Sequence, residues 1–246
     1  MLPIRDHNPS LKTPFVTYVL IGLNVAVFLY GLAFVQTDLQ LRQFYFDYAM
    51  VPFRLSDGEN PAQLITHMFL HGGFMHLAGN MLFLWIFGDN MEEEMGHLRF
   101  LGFYLLSGIA AAMLQYMPAP NSNIPMVGAS GAIAGVMGGY LLLFPKARVD
   151  VFIFFVVFFR ILPIPSFIVL GLWMGLQVFQ GFATDINGGG TAYWAHVGGF
   201  VAGFILTIPL WLRRGGPRYW DRTDGHPPHP ETHYPRSNIP IVPRRR

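Results

Sequence analysis

The sequence predicts an all-α membrane protein, a bundle of six transmembrane helices, and three observations carry that prediction. Of 246 residues, 52% are hydrophobic and 12% charged, against about 25% charged in soluble domains. Six stretches reach or approach the roughly 20 apolar residues that a bilayer-crossing helix needs. Lys and Arg fall in short segments that six crossings put on one side. The mean hydropathy of +0.39 excludes an ordinary soluble domain and a disordered chain. Cysteine is absent, which removes any disulfide framework, thiol nucleophile or thiolate metal site.

Residues 1–14 read as a cytoplasmic N-terminal segment, with Arg5 and Lys12. The first span is Phe15–Val35, too long for a signal peptide and without a small-residue cleavage site. Thr37–Pro61 is a long outer loop whose Phe44, Tyr45, Phe46 and Tyr48 suit the membrane surface. The second span is Phe74–Phe87, extendable upstream to Leu64. Glu92, Glu93 and Glu94 follow it, either capping the third span or solvated. The third span is Phe100–Met117 and the fourth Val127–Phe144. Val149–Leu162 is short, rich in Val, Phe and Ile, and reads as interfacial or re-entrant rather than spanning. Pro165–Phe182 and Ala192–Leu212 complete the six, so that one core occupies 15–212. Arg5 and Lys12, Lys146 and Arg148, and Arg213 and Arg214 then share the cytoplasmic side, and both termini lie there. A seventh span would move the last pair outside. Residues 213–246 hold seven prolines and eight of the sixteen Lys and Arg, the composition of a disordered cytoplasmic tail. No internal repeat suggests an inverted-repeat transporter.

Polar groups within spans are costly and mark function. His76 and Asn80, with His71 before them, open the second span. Ser130 opens the fourth inside Gly128-Ala129-Ser130-Gly131, and His196 opens the sixth before Gly198-Gly199. The six-span topology runs these three helices inward from the outer face, so all these groups share one depth. His76 and Asn80 are four residues apart and share a helix face. Gly131, Gly135 and Gly139 on the fourth span, with Gly199 and Gly203 on the sixth, allow close backbone approach. That approach would bring Ser130 to His196. A serine needs a base to take its proton, and donors must meet the oxyanion; His76, Asn80 and the Ser130 N–H are available. No acidic residue lies at that depth in the three helices, so the pattern is a dyad rather than a triad.

Taken singly, these residues have blander readings. A membrane serine commonly bonds back to a carbonyl one turn away, and Asn80 could serve only as glue between helices. Gln115 and Gln177 read as bonds between helices, and Trp85, Trp173, Trp194 and Trp211 as packing. Metal is the competing chemistry: His67 and His71 are four apart with His76 nearby. A zinc protease helix wants Glu after the first histidine, and Met68 stands there. No metal or organic cofactor is expected, and no nucleic acid.

In combination and order, His71-Gly-Gly-Phe-Met-His76-Leu-Ala-Gly-Asn80, Gly128-Ala-Ser130-Gly131, Ala195-His196-Val-Gly-Gly199 with Gly203, and the Glu92–Gly96 segment resemble the rhomboid family of intramembrane serine proteases. The resemblance covers about Phe15–Leu212. It implies a six-helix rhomboid-like bundle around a water-filled cavity open to the outer side. It implies Ser130 as nucleophile, His196 as general base, and His76, Asn80 and the Ser130 N–H as the oxyanion hole. His71 would support the neighbouring loop, Thr37–Pro61 would be a membrane-embedded loop, and the fifth span a lateral gate. One departure is visible. Many members carry an aromatic four residues after the serine that stacks on the histidine, and here that residue is Ala134.

The implied activity is a serine endopeptidase that cuts transmembrane helices of other membrane proteins near their outer end, through an acyl-enzyme. The alternatives are a non-catalytic relative that binds membrane helices in quality control, and a small-solute transporter or channel. The paired Ser130 and His196 disfavour both. By analogy with compact family members, the setting is a bacterial inner membrane.

Overall fold

The structure, a computed structural model, describes residues 2–155, 158–185, 189–232 and 234. Strand β1 (Leu2–Asp6) leads into α1 (Phe15–Phe34), a long apolar helix. Two short outer helices follow, α2 (Asp38–Tyr48) and α3 (Pro52–Ser56). Thr37 and Gln40 start α2 with a reciprocal capping box, which satisfies two of the N–H groups that a helix start leaves free. The turn α4 (Gln63–Thr66) continues as a 3-10 turn, His67–Phe69. Next come α5 (Phe74–Met95), α6 (His97–Tyr116) and α7 (Ser130–Leu143). Strands β2 (Arg148–Phe155) and β3 (Phe158–Pro165) precede α8 (Ser166–Ala183), α9 (Tyr193–Arg214) and α10 (Pro217–Thr223).

Four helices, α1, α6, α8 and α9, are long and apolar enough to cross a bilayer, and the pair Gln63–Phe69 with α5 adds a fifth, broken span. The chain is therefore a multi-pass membrane protein, and four or five of the six expected spans have that length and composition. The upstream extension of the second span to Leu64 is bent by 98° from α5, because Gly72-Gly73 interrupts the helix there. The fourth span shortens to α7, a 14-residue helix of about 21 Å, too short for a hydrocarbon core of about 30 Å. It compensates by burial: twelve of its residues are buried among its neighbours. Non-helical chain at membrane depth is tolerated where it lines a cavity, and Val127 and Gly128, just before α7, line one.

The all-α expectation needs correction. β1, β2 and β3 form a three-stranded antiparallel sheet in that order. The run read as interfacial or re-entrant forms strands β2 and β3, paired antiparallel. Its Val, Ile and Phe favour strand geometry. The Pro-rich tail is not featureless either. α9 runs to Arg214, and α10 follows with its Trp220 Nε1 donating to the Leu142 carbonyl at 2.9 Å. The Thr232 N–H donates to the His7 carbonyl, and the Arg5 guanidinium lies 3.6 Å over the Tyr234 ring. Residues 233 and 235–246 of the expected tail lie outside the described residues.

Glu92 caps α1 rather than the third span. Its buried carboxylate accepts from the N–H groups of Val16 and Thr17 and from the Thr17 hydroxyl, each at 2.8 Å, and pairs with His97. α7 and α9 pack closest of all. A Cβ at Gly199 would stand 1.9 Å from the Gly131 carbonyl oxygen, and one at Gly203 would stand 2.0 Å from that of Gly135. The spacing of small residues therefore lets backbone meet backbone.

Candidate active site

Ser130 is the first residue of α7, so its N–H has no carbonyl one turn back to bond. The approach to it is held from two sides. The Gly128 N–H donates to the His67 carbonyl at 2.9 Å, and Met50 and Met126 form an antiparallel bridge. Gly128 has φ +125°, a left-handed conformation that L side chains rarely adopt. A Cβ there would lie 2.8 Å from His76 Nε2 and 3.7 Å from Ser130 Oγ. The missing side chain thus keeps open the space between those two groups.

His196 lies in the first turn of α9. The Ala195 N–H donates to Gln115 Oε1 on α6 at 3.2 Å, which fixes the start of that helix. The Gly131–Gly199 contact then brings the two helix beginnings together, and Ser130 Oγ lies 2.8 Å from His196 Nε2. On the other ring nitrogen, Nδ1 lies 2.7 Å from Gln177 Oε1 of α8. The Trp173 ring, also from α8, is 5.7 Å from the His196 ring, centroid to centroid, and tilted by 35°. Ala134 is buried in α7, and the ring beside His196 comes from a different helix.

The remaining expected residues divide. His76 faces the same cavity and has His71 edge-on at 5.0 Å. His71 is buried and packs against His76 through that ring contact. Asn80 lines the cavity, but its side-chain N–H donates to the His76 carbonyl at 2.9 Å, so the amide also serves its own helix. Gly131 and Gly199 belong to the helix seam rather than to the reacting atoms. Among the described residues no group of three or more His, Cys, Asp or Glu gathers as a metal site. His67 Nδ1 is occupied by the Gln63 carbonyl.

Residue reading of the sequence missed the partners of His196. Gln177 and Trp173 were visible as a polar group and an indole in a span, but not as neighbours of the histidine. The cavity that Trp173 lines together with His76, Asn80, Gly128, Ser130 and His196 has a volume of about 960 Å³. Chemically the arrangement offers a hydroxyl beside an imidazole, a free helix-start N–H, and room for a peptide segment.

Fold and site together define a multi-pass helical membrane protein with a serine–histidine contact inside the bundle. Residues 59–213 match the family model of the Rhomboid domain, and the chain belongs to the rhomboid family. It is 32% identical over 200 residues to Rhomboid protein 1, mitochondrial, of Saccharomyces cerevisiae, covering 76% of this chain and 51% of that protein. It is 34% identical over 156 residues to RHOMBOID-like protein 4 of Arabidopsis thaliana, covering 63% of this chain and 36% of that one. Against Rhomboid protease GluP of Bacillus subtilis it is 32% identical over 155 residues, covering 63% and 27%. The chain thus matches about half or less of the length of these curated relatives.

Proposed function

We propose that this protein is an intramembrane serine endopeptidase that cuts transmembrane helices of other membrane proteins near their outer end. The observation that supports this reading is the 2.8 Å separation of Ser130 Oγ and His196 Nε2 beside the cavity. A relative named as a rhomboid protease adds to it.

In this reading a substrate helix reaches the cavity from the side of α8 and partly unwinds, exposing a carbonyl that helical hydrogen bonding would shield. Ser130 Oγ attacks the carbonyl carbon while His196 Nε2 takes its proton. The Ser130 N–H, His76 and Asn80 meet the developing oxyanion. His196 then passes the proton to the leaving amine. Water adds to the acyl-enzyme with the same base, releasing the second product and restoring the serine. A bacterial inner membrane with both termini cytoplasmic is the proposed setting.

The test is labelling in detergent with a fluorophosphonate, paired with cleavage of a model single-span substrate. Labelling and cleavage are expected in the wild type and lost in Ser130→Ala and His196→Ala. A Ser130→Ala variant that labels like wild type, or a wild type that neither labels nor cuts, defeats the enzyme reading and leaves the helix-binding relative.

A further inference from the structure

We propose that Gln177 and Trp173 are positioning residues that orient the imidazole of His196, an assignment that rests on the protease reading above. Both come from α8, and they are four residues apart, on one face. The buried residues of α8 are Ser166, Leu170 and Gln177. Leu170, Trp173 and Gln177 fall at positions i, i+3 and i+7, a single stripe. That stripe ends on the histidine.

The chemistry follows from atom types. Gln177 Oε1 is an amide carbonyl oxygen and only accepts. At 2.7 Å it accepts a hydrogen bond from His196 Nδ1–H. A neutral imidazole protonated on Nδ1 carries its lone pair on Nε2, the nitrogen that faces Ser130 Oγ at 2.8 Å. Gln177 thereby selects the tautomer able to accept the serine proton. Trp173 covers the ring at 5.7 Å and limits rotation about the Cα–Cβ and Cβ–Cγ bonds. The buried methyl of Ala134 cannot supply a ring, so orientation of the base is delegated from α7, which holds the serine, to α8. The base is then aligned only while α8 is seated against α9, and a displacement of α8 withdraws both positioning groups at once.

The test uses the full chain in detergent with a model single-span substrate, and compares pH–rate profiles of wild type, Gln177→Glu and Gln177→Leu. An anionic acceptor favours the imidazolium, so Gln177→Glu moves the acidic limb to higher pH by about one pH unit. Gln177→Leu removes the acceptor, moves that limb to lower pH and lowers kcat roughly ten- to a hundredfold with KM little changed. Profiles that superimpose on wild type after scaling, with only thermal stability or KM altered, overturn the proposal. A second readout does not need turnover. In ¹⁵N-histidine spectra the His196 signals, identified by their loss in His196→Ala, show the Nδ1-protonated form in wild type and a mixture in Gln177→Leu. An Nε2-protonated wild type overturns the assignment even if the enzyme cleaves. A wild type that never labels or cleaves defeats the protease reading instead, and the spectra still decide the tautomer.

Discussion

At the residue scale, the geometry around Gly128 separates chemistry from folding. A Cβ at this position would approach His76 Nε2 to 2.8 Å while the backbone holds φ +125°. Gly128→Ala is expected to displace His76 from the space beside Ser130. His76→Ala removes the proposed oxyanion donor directly. Loss of one oxyanion donor typically lowers kcat about 10²–10³-fold, and both variants should fall in that range with KM nearly constant. A Michaelis–Menten series on the model substrate checks this; a loss confined to KM would remove His76 from the reaction. The polar residues of the site were legible because a histidine, an asparagine and a serine at one depth in apolar spans are costly to place there. Trp173 and Gln177 were not legible as partners of His196. α8 is apolar on nearly every side, so its rotation about its own axis cannot be read from periodicity.

Between elements, small residues decide how near α7 and α9 come. Gly199→Ala puts a methyl 1.9 Å from a carbonyl oxygen of α7, and neither backbone can move without opening the bundle. Overpacking of this kind costs about 1–3 kcal/mol, so the variant should unfold at lower temperature and lose activity as Ser130 and His196 separate. Gly175→Ala, in α8 where nothing lies within 4 Å, is the control. Alanine favours helix over glycine by about 1 kcal/mol, so it should be neutral or mildly stabilising. Differential scanning fluorimetry in detergent compares the two, and equal melting points would contradict the seam. A second element-scale expectation concerns Glu92. Glu92→Ala leaves the Val16 and Thr17 N–H groups and the Thr17 hydroxyl without their acceptor. Each buried unmet group costs about 1–3 kcal/mol, so this variant should be among the least stable single changes in the protein. The Gly–xxx–Gly steps announced the seam, because their physics is local. The partner of Glu92 was hidden, because the contact joins residues 75 or more positions apart. Likewise the continuous apolar run that became β2–β3 has no period that separates a strand from a short helix.

Over the whole molecule, the chain segments that carry the positive charges at one end of the bundle are joined by specific contacts. β1 pairs with β2, Arg214 pairs with Glu94 at 2.7 Å, and Lys146 pairs with Asp224. Charge counting could not reveal that this end is folded, since the hydrogen bonds that order it run between distant segments. At its centre Asp6 is buried, with Oδ2 accepting from Asn90 Nδ2 at 2.8 Å and from the Tyr140 hydroxyl at 3.2 Å. Burial first, and then the Asp89 carboxylate, push Asp6 up to about 8, against the opposing pull of those hydrogen bonds. The sign follows from linkage. An unfolded Asp releases its proton near 3.8, whereas the folded protein keeps it until about 8. Across that window the folded state binds more protons, so stability falls as pH rises and levels off above it. Asp6 joins the N-terminal strand to the far end of the helix that begins with Ser130, so this proton bears on the seating of α7. In the proposed protease, activity would run the other way with pH, because a histidine base must be neutral to act. Wild type should therefore melt at a lower temperature at pH 8.5 than at pH 6, while cleavage rate rises over the lower part of the same interval. Asp6→Asn, which keeps an uncharged polar group toward Asn90 and Tyr140, should flatten the melting curve against pH and leave the pH–rate profile of cleavage unmoved. Thermal melts of both proteins at half-unit pH steps decide it: a variant that retains the wild-type slope assigns the titration to another group at this end of the bundle.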